Sequence, residues 1–353
     1  MAILDRIETM GHEQVVFFQD PKVGLKAIVA IHDTTLGSAL GGCRFWNYKK
    51  EDDALIDVLR LSRGMTYKAS IANLDLGGGK SVIIGDPNKL KSEEFFRSFG
   101  RCIDSLGGRY ITAEDVNVGV ADINNVAKET SHVVGVTSRK GGSGDPSPFT
   151  ALGVFSGIKA CVKYRLKKDT LKDIKVAVQG LGSVGKNLCH LLFEEGAQII
   201  VSDIDDTRVS DMCASYKARS VAVDDIHRVD ADVFSPCALG GVFDGNTISQ
   251  LNCPIVAGGA NNQLLDEQED GLRLKEKGIL YAPDYVINAG GLINVSYEIR
   301  GYDIAKSTKD TKNIYNTLMD IFTVSEKRNI PTHKASDYLA EKRIRDKQRL
   351  KHV

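Results

Sequence analysis

The chain has 353 residues, enough for two domains of ordinary size. Lys+Arg and Asp+Glu balance at 46 each, and 42% hydrophobic with 26% charged residues is a globular composition that offers no general electrostatic reason to bind nucleic acid or an anionic membrane. No apolar run approaches the roughly 18–20 residues of a membrane span, MAILDRIETMGHE carries charge too early for a secretory signal, and seven widely spaced cysteines without C-x-x-C fit reduced thiols in the cytoplasm, with neither a disulfide frame nor a metal site.

In chain order, EQVVFFQD (13–20) and LKAIVAIHD (25–33) are rich in β-branched and aromatic residues and predict neighbouring strands. From 52 to 67 the positions Leu55, Val58 and Leu59 follow helical spacing. NLDLGGGKSVIIGDP (73–87) reads as a glycine loop leading into a short buried strand, SVIIG, and 93–106 reads as a helix closed by Gly107 and Gly108. GRYITAEDVNVG ends a strand on Glu114 and Asp115, where a carboxylate suits either proton transfer or the N-cap of the following helix. SRKGGSGDPSPFTALG (138–153) is dense in Gly, Ser and Pro and predicts a hinge. Beyond it strands and helices alternate: IKVAVQG (174–180), QIIVSD (198–203), ARSVAV, ADVFSPC, CPIVAGG and GILYAP, the pattern of a parallel sheet with helices on both faces. The carboxy-terminal region is helical, and its basic end EKRIRDKQRLK reads as a solvated helix terminus whose cations suit the dipole.

The fold class expected is therefore α/β in two domains. An N-terminal α/β substrate and assembly domain covers 1–135, with helices at 331–353 packing back on it. A doubly wound Rossmann-type dinucleotide domain covers 136–330, separated from the first by a cleft.

The cofactor signal is Gly180-Leu181-Gly182-Ser183-Val184-Gly185, with a β-branched strand before it, a helix after it, and Asp203 ending the next strand. The first glycine permits the tight turn, the second lets backbone approach a pyrophosphate, and the third lets helix and strand close together. The helix N-terminus offers free N–H groups to phosphate. Asp203 would accept from the ribose hydroxyls and repel a 2′-phosphate, a field that Asp205 and Asp206 reinforce, so NAD is expected over NADP.

GGGKS invites comparison with a phosphate-binding P-loop, but the position of that motif's first glycine is Leu74, and a β-type run follows Lys80-Ser81 where a helix should begin. What remains is a lysine beside glycines, with Lys68 upstream at a helix end. Two such cations sharing a site would favour each other's neutral form and make a general base, although two unrelated surface lysines would look the same.

GGCRFW, LRLSRGMTYKASIANLDLGGGKSVIIGDP, GRYITAEDV, GDPSPFTALGV, VAVQGLGSVGKNL, SPCALGG, ANNQL and YAPDYVINAGGLINV occur in this order. Together they resemble the family of amino-acid dehydrogenases acting on glutamate, leucine, valine and phenylalanine. The resemblance implies NAD-dependent, reversible oxidative deamination of an L-amino acid to a 2-oxo acid and ammonium. It implies that Lys68 pairs with the substrate carboxylate, Lys80 activates water, and Asp115 shuttles the amino-group proton. By the same likeness Gly41, Gly42, Met65 and Asn262 seat the substrate, Thr150 lies beside the nicotinamide with Asn262, and Leu40, Ala113, Leu292 and Val295 line the side-chain pocket. All four pocket residues are apolar, which disfavours glutamate, whose buried carboxylate would be unpaired, and suits branched aliphatic side chains. Leu292 is the residue of aromatic-specific relatives, so phenylalanine or tryptophan is the alternative; a binding-only NAD sensor should have lost Lys68, Lys80 or Asp115. The family also implies a homo-oligomer, as large as an octamer.

Overall fold

The computed structural model describes residues 3–137 and 142–351. They form two compact units, one running to Asp145 with Val295–Asp303 and the stretch from Ala340, the other comprising Pro146–Asn294 and Ile304–Leu339.

In the first unit β1 (Gln14–Asp20), β2 (Leu25–Asp33), β3 (Ala39–Trp46), β4 (Gly77–Ile84) and β5 (Tyr110–Ala113) form a mixed sheet in the order β1-β2-β4-β3-β5. β2 pairs antiparallel with β1 and β4, while β3 runs parallel between β4 and β5. Helix α1 (Glu51–Ile71) covers one face, setting Ala54, Leu55, Val58 and Leu59 on Ile28, Ala30 and Val82. Helices α2 (Glu93–Asp104) and α3 (Val120–Val126) cover the other with Phe95, Phe96, Phe99, Ile123 and Val126. Burial on both faces explains why LKAIVAI and SVII are continuous apolar runs and do not alternate.

The glycine loop expected at 77–79 is instead the opening of β4. A Cβ at Gly77 would stand 2.1 Å from the Asp33 carbonyl oxygen, one at Gly78 2.1 Å from the Thr66 backbone nitrogen of α1, and one at Gly79 2.6 Å from the Tyr110 ring. These glycines let a strand, a helix and an aromatic ring close on β4.

The second unit holds β6 (Lys175–Gln179), β7 (Gln198–Ser202), β8 (Arg219–Ser220), β9 (Val233–Pro236), β10 (Ile255–Val256) and β11 (Leu280–Tyr281). All pair in parallel, in the order β11-β10-β9-β6-β7-β8. Read from β8 this is the third-second-first-fourth-fifth-sixth order of a doubly wound dinucleotide fold. The strand expected over ARSVAV shrinks to two residues, because β8 lies at the sheet edge with a partner on one side alone. Of the hinge expected over 138–153, residues 138–141 lie outside the described residues. Ser147 onward opens the helix α4 (Ser147–Leu166), since proline in a first turn starts a helix as readily as it marks a linker. Further helices are α5 (Ser183–Glu194), α6 (Asp206–Tyr216) and α7 (Gly290–Ser296).

The basic end of the last helix, Thr332–Lys351, is not simply solvated. Arg343 donates to the carbonyls of Ser70 and Leu74 and to the Asp75 carboxylate, and Ser70 Oγ donates to the Ala340 carbonyl at 2.7 Å. A cation thus caps the C-terminal end of α1, where its dipole is negative. Among the described residues no helix is long and apolar enough to cross a membrane.

Candidate active site

Side chains alternate along β4, so Gly78, Lys80 and Val82 share the face that α1 covers. Lys80 is buried, and its Nζ stands 2.9 Å from Asp115 Oδ2. Asp115 follows β5 in a tight turn: its N–H donates to the Val118 carbonyl and the Val118 N–H donates back, with Asn117 left-handed between them at φ 57°. Asn117 Nδ2 donates to the Phe45 carbonyl, and the Phe45 N–H to the Val116 carbonyl, which ties this turn to β3. The N-cap alternative for Asp115 does not hold, because α3 begins at Gly119 with Asp122 closing its first turn.

The two adjacent carboxyls at the end of β5 have opposite surroundings. Burial raises Glu114, and the charges of Asp145, Glu298 and Asp115 raise it further. Burial would also raise Asp115, but the charge and hydrogen bond of Lys80, then the charge of Arg44, outweigh it and hold the carboxyl below its ordinary range. The surroundings thus shift the two carboxyls in opposite directions, Asp115 toward its ionised form and Glu114 toward its protonated one. Arg44, on β3, places Nε 3.3 Å from Asp115 Oδ2 and Nη1 2.9 Å from Asp57 Oδ2, and Tyr48 donates to the same Asp57 oxygen at 2.6 Å. Motif reading missed Arg44, Asp57 and Tyr48. The available signal was a lone arginine inside a strand, ALGGCRFW, whose other residues are apolar or glycine.

Gly41 and Gly42 lie in β3 between β4 and β5. A Cβ at Gly41 would meet the Gly79 carbonyl oxygen at 1.7 Å, and one at Gly42 the Glu114 carbonyl oxygen at 2.4 Å and Asp115 Cβ at 2.8 Å. Only glycine at 42 lets the Asp115 turn lie against β3. Tyr110 donates its hydroxyl to the Gly41 carbonyl at 2.6 Å from beneath the sheet. Leu40 is buried and Ala113, across from Gly42, is half-buried. Met65 and Lys68 are half-buried near the end of α1, Lys68 in its last turn. Val295, also in this unit, is half-buried near the end of α7.

In the second unit the glycine motif joins β6 to α5. Gly180 has φ 92°, and a Cβ there would sit 2.8 Å from Ala238, so a left-handed turn and a close neighbour both require glycine. A Cβ at Gly185 would stand 1.9 Å from the Gly180 carbonyl oxygen, whereas one at Gly182 would meet nothing within 4 Å. That open position, beside the first N–H groups of α5, suits the approach of a pyrophosphate. Leu181, between the glycines, is buried, and Ser183 and Val184 form the first turn of α5. The Leu181 N–H donates to Asp203 Oδ2 at 2.5 Å and the Asp205 N–H to Oδ1 at 2.9 Å. The carboxylate is thus fixed at the motif, where a nucleotide ribose belongs. The negative field expected from Asp205 is partly spent: Asp205 caps α6, and Arg208 Nε lies 3.2 Å from it. Thr150 donates to the Pro146 carbonyl within the first turn of α4, and its Oγ1 would block a Cβ at Gly291 at 2.7 Å. Asn262 is exposed and left-handed at φ 50°. Leu292 is half-buried on α7.

The residues read from sequence are thus gathered in two groups. Lys80, Asp115, Gly41, Gly42, Leu40, Ala113, Met65, Lys68 and Val295 belong to the first unit, and the glycine motif, Asp203, Thr150, Asn262 and Leu292 to the second. The donor set of the second fits a nicotinamide dinucleotide, with Gly182 and the α5 terminus for phosphate and Asp203 for ribose.

Two family models match the chain: "Glu/Leu/Phe/Val dehydrogenase, dimerisation domain" over residues 12–132, and "Glutamate/Leucine/Phenylalanine/Valine dehydrogenase" over 141–207 and 203–347. The chain is 51% identical over 344 residues to the leucine dehydrogenase of Geobacillus stearothermophilus, covering 98% of this chain and 94% of the relative. It is 49% identical over 351 residues to the L-tryptophan dehydrogenase of Nostoc punctiforme, covering 99% and 98%. The crystal structure of a Nostoc punctiforme L-tryptophan dehydrogenase is similar with a TM-score of 0.89 at 48% identity, covering 98% of this chain and 99% of that one.

Proposed function

Because the chain belongs to the Glu/Leu/Phe/Val dehydrogenase family, whose members oxidise amino acids at a CH–NH2 carbon with a nicotinamide dinucleotide, we propose that it deaminates branched-chain L-amino acids, leucine with valine and isoleucine, to 2-oxo acids and ammonium, reversibly and with NAD. The observation that carries this reading is the ion pair of buried Lys80 and half-buried Asp115 at 2.9 Å, in a chain half-identical to a leucine dehydrogenase. Bound NAD supplies the hydride acceptor.

The chain's own residues do the rest. Lys68 takes the α-carboxylate as a point charge, and the backbone at Gly41 and Gly42, with Met65, orients the amino acid; Asn262, in the second unit, keeps the substrate role that the family likeness gives it. Asp115, an anion, accepts the proton of the substrate ammonium and so frees the nitrogen lone pair. Asp115 gives that proton up to solvent as the hydride leaves, then receives the proton of Lys80, and the neutral lysine takes a proton from the water that attacks the iminium carbon. Asp115 returns its proton to the nitrogen, ammonia leaves, and the freed carboxylate takes the hydroxyl proton as the 2-oxo acid forms. The residues that hold the dinucleotide are Gly180, Leu181, Gly182, Ser183, Val184, Gly185 and Asp203, with Thr150 and Asn262 toward the nicotinamide.

Leu40, Ala113 and Val295 in the first unit and Leu292 in the second are the residues we assign to the substrate side chain; all four are apolar, which suits leucine, valine and isoleucine and offers a glutamate carboxylate no partner. Leu292 and the likeness to an L-tryptophan dehydrogenase favour a second reading, an aromatic substrate. Among leucine, valine and isoleucine the difference is a methylene or its placement, worth about 1–3 kcal/mol of discrimination. We place the enzyme in the cytoplasm, in keeping with seven free cysteines, as a homo-oligomer that we take to be an octamer. We assign substrate binding and assembly to the first unit, which extends the expected 1–135 to Asp145 and takes in Val295–Asp303 and the stretch from Ala340, and dinucleotide binding to the second, Pro146–Asn294 with Ile304–Leu339.

The test is NADH formation by the purified enzyme on leucine, valine, isoleucine, phenylalanine, tryptophan and glutamate, beside Lys80→Ala. Aliphatic substrates should give the highest kcat/KM, and Lys80→Ala should lose about 10²–10⁴-fold in kcat while still binding NAD⁺. Inactivity on every aliphatic substrate refutes the substrate assignment; full activity in Lys80→Ala refutes the role of the lysine.

A further inference from the structure

Arg44 leaves β3 on the same side as Gly42, two residues before it, and this is the side on which the Asp115 turn lies. Its side chain is only 24% exposed, and its guanidinium is held at both ends, by Asp115 and by Asp57 of α1. Tyr48, whose hydroxyl burial and the Asp57 carboxylate keep protonated, donates to the same Asp57 oxygen that Arg44 uses. Lys80 and Arg44 converge on one oxygen of Asp115, Oδ2, at 2.9 and 3.3 Å, and two fixed donors on one oxygen set the rotation of the carboxylate.

We propose that Arg44 is a positioning residue for proton transfer: braced by Asp57 and Tyr48, it holds Asp115 ionised and oriented against Lys80. The inference rests on the reading of Lys80 and Asp115 as the proton-transfer pair. Other groups that face Asp115 do not compete for this role. Cys43, on β3, has its thiol pushed up to about 12 by burial, and Tyr110, on β5, is raised by burial as well, so both are neutral. Glu114, raised by burial and then by its acidic neighbours, offers Asp115 no cation. Arg44 is therefore the second cation at Asp115, and a planar fork with fixed donors does what a flexible ammonium would do less well.

The sign of the effect is the same whichever partner limits the rate. Removing a cation favours the protonated form of the Lys80–Asp115 pair, so the acid limb of kcat/KM moves to higher pH. In Arg44→Gln we expect that limb to rise by about one pH unit and kcat at neutral pH to fall about tenfold, with KM for the amino acid and NAD⁺ within about threefold of wild type. Arg44→Lys should restore the limb but only part of kcat. Asp57→Asn should shift the limb in the same direction by less, and Arg44→Gln/Asp57→Asn should be no worse than Arg44→Gln, because the two act through one contact. Circular dichroism and thermal unfolding of each variant register folding, and Arg44→Lys and Asp57→Asn carry the test if Arg44→Gln fails to fold. An unmoved acid limb with a raised KM or a lowered Tm overturns the proposal, as does additivity of the two substitutions. If Asp115→Asn kept wild-type kcat and pH profile, the underlying pair assignment would fall too. If Asp115→Asn lost activity while the Arg44 variants kept the profile, only the role of Arg44 would fall.

Discussion

Replacing Gly78 with alanine tests why the central strand of the first unit opens on three glycines. The new Cβ would stand 2.1 Å from both Thr66 N and Thr66 Oγ1 and 2.5 Å from Thr66 Cα, against an ordinary contact range of 3.4–4 Å. The obstacle is helix backbone, so α1 itself must retreat. Overpacking of this kind costs about 1–3 kcal/mol, and a rigid obstacle places it at the upper end. Exchanging a strand glycine for alanine returns about 0.5–1 kcal/mol of chain entropy. The net loss is about 2 kcal/mol, which lowers Tm by roughly 4–8 °C in a unit of this size. Because the last turn of α1 carries Lys68, kcat/KM for the amino acid should fall in parallel while NAD⁺ affinity stays near wild type. Gly182→Ala is the matched comparison: its Cβ meets nothing within 4 Å, so Tm should hold while NAD⁺ binding weakens. Thermal unfolding by circular dichroism, NAD⁺ titration by protein fluorescence and steady-state kinetics read all three quantities. A Gly78→Ala protein with wild-type Tm and weakened NAD⁺ binding would refute the packing argument and return the nucleotide to β4.

Asp203→Ala should relax discrimination against NADP⁺, because it removes the carboxylate that repels a 2′-phosphate and leaves Arg208 beside the vacated place; an unchanged ratio of kcat/KM for NAD⁺ and NADP⁺ would contradict the assignment. His333 is buried with neither ring nitrogen hydrogen-bonded, and burial, then Lys334, lowers it from 6.5 to about 4. Its folded value lies below its unfolded one, so the unfolded chain binds the extra proton between pH 6.5 and 4, and the stability from keeping the ring neutral is full above 6.5 and is lost as pH falls through that window. His333→Leu should flatten the fall of Tm across this range, to which His12 and His32, also lowered to about 4 chiefly by burial, still contribute; a slope identical to wild type would count against it.

Elements set by local pattern were legible in the sequence. The β1 and β2 strands, α1, α2 and the six-strand alternation of the second unit follow from periodicity, and Gly180, Gly182 and Gly185 from their spacing between a strand and a helix. What escaped reading depends on contacts between distant residues. GGG before Lys80 reads as a loop because glycine is common in loops, and only the nearness of Asp33, Thr66 and Tyr110 shows why a strand needs it. The basic tail reads as solvated until Ser70, Leu74 and Asp75 are seen to receive Arg343. Arg44 could be noticed as an oddity in its strand, but its partners Asp57 and Asp115 lie on a helix and on the turn after another strand, and no spacing rule joins them.

Glu114 and Asp115 carry this point into the chemistry. They are neighbours in sequence, both carboxyls at the end of one strand, and motif reading offers each for proton transfer. Burial pushes both toward the neutral acid. The difference comes from across the sheet: Asp115 faces Lys80 on β4 and Arg44 on β3, whereas Glu114 faces Asp145 and Glu298. One backbone step therefore separates a carboxyl that its neighbours hold toward the ionised form from one that its neighbours push toward the protonated form. The absent side chain at Gly42 is what allows that step, since any Cβ there would meet the Glu114 carbonyl and Asp115 Cβ and push the turn off the strand. Gly42 thus makes room for the Asp115 turn, and on the proton-transfer role proposed for Asp115 an alanine there should cost activity even though it touches neither Lys80 nor the dinucleotide fold.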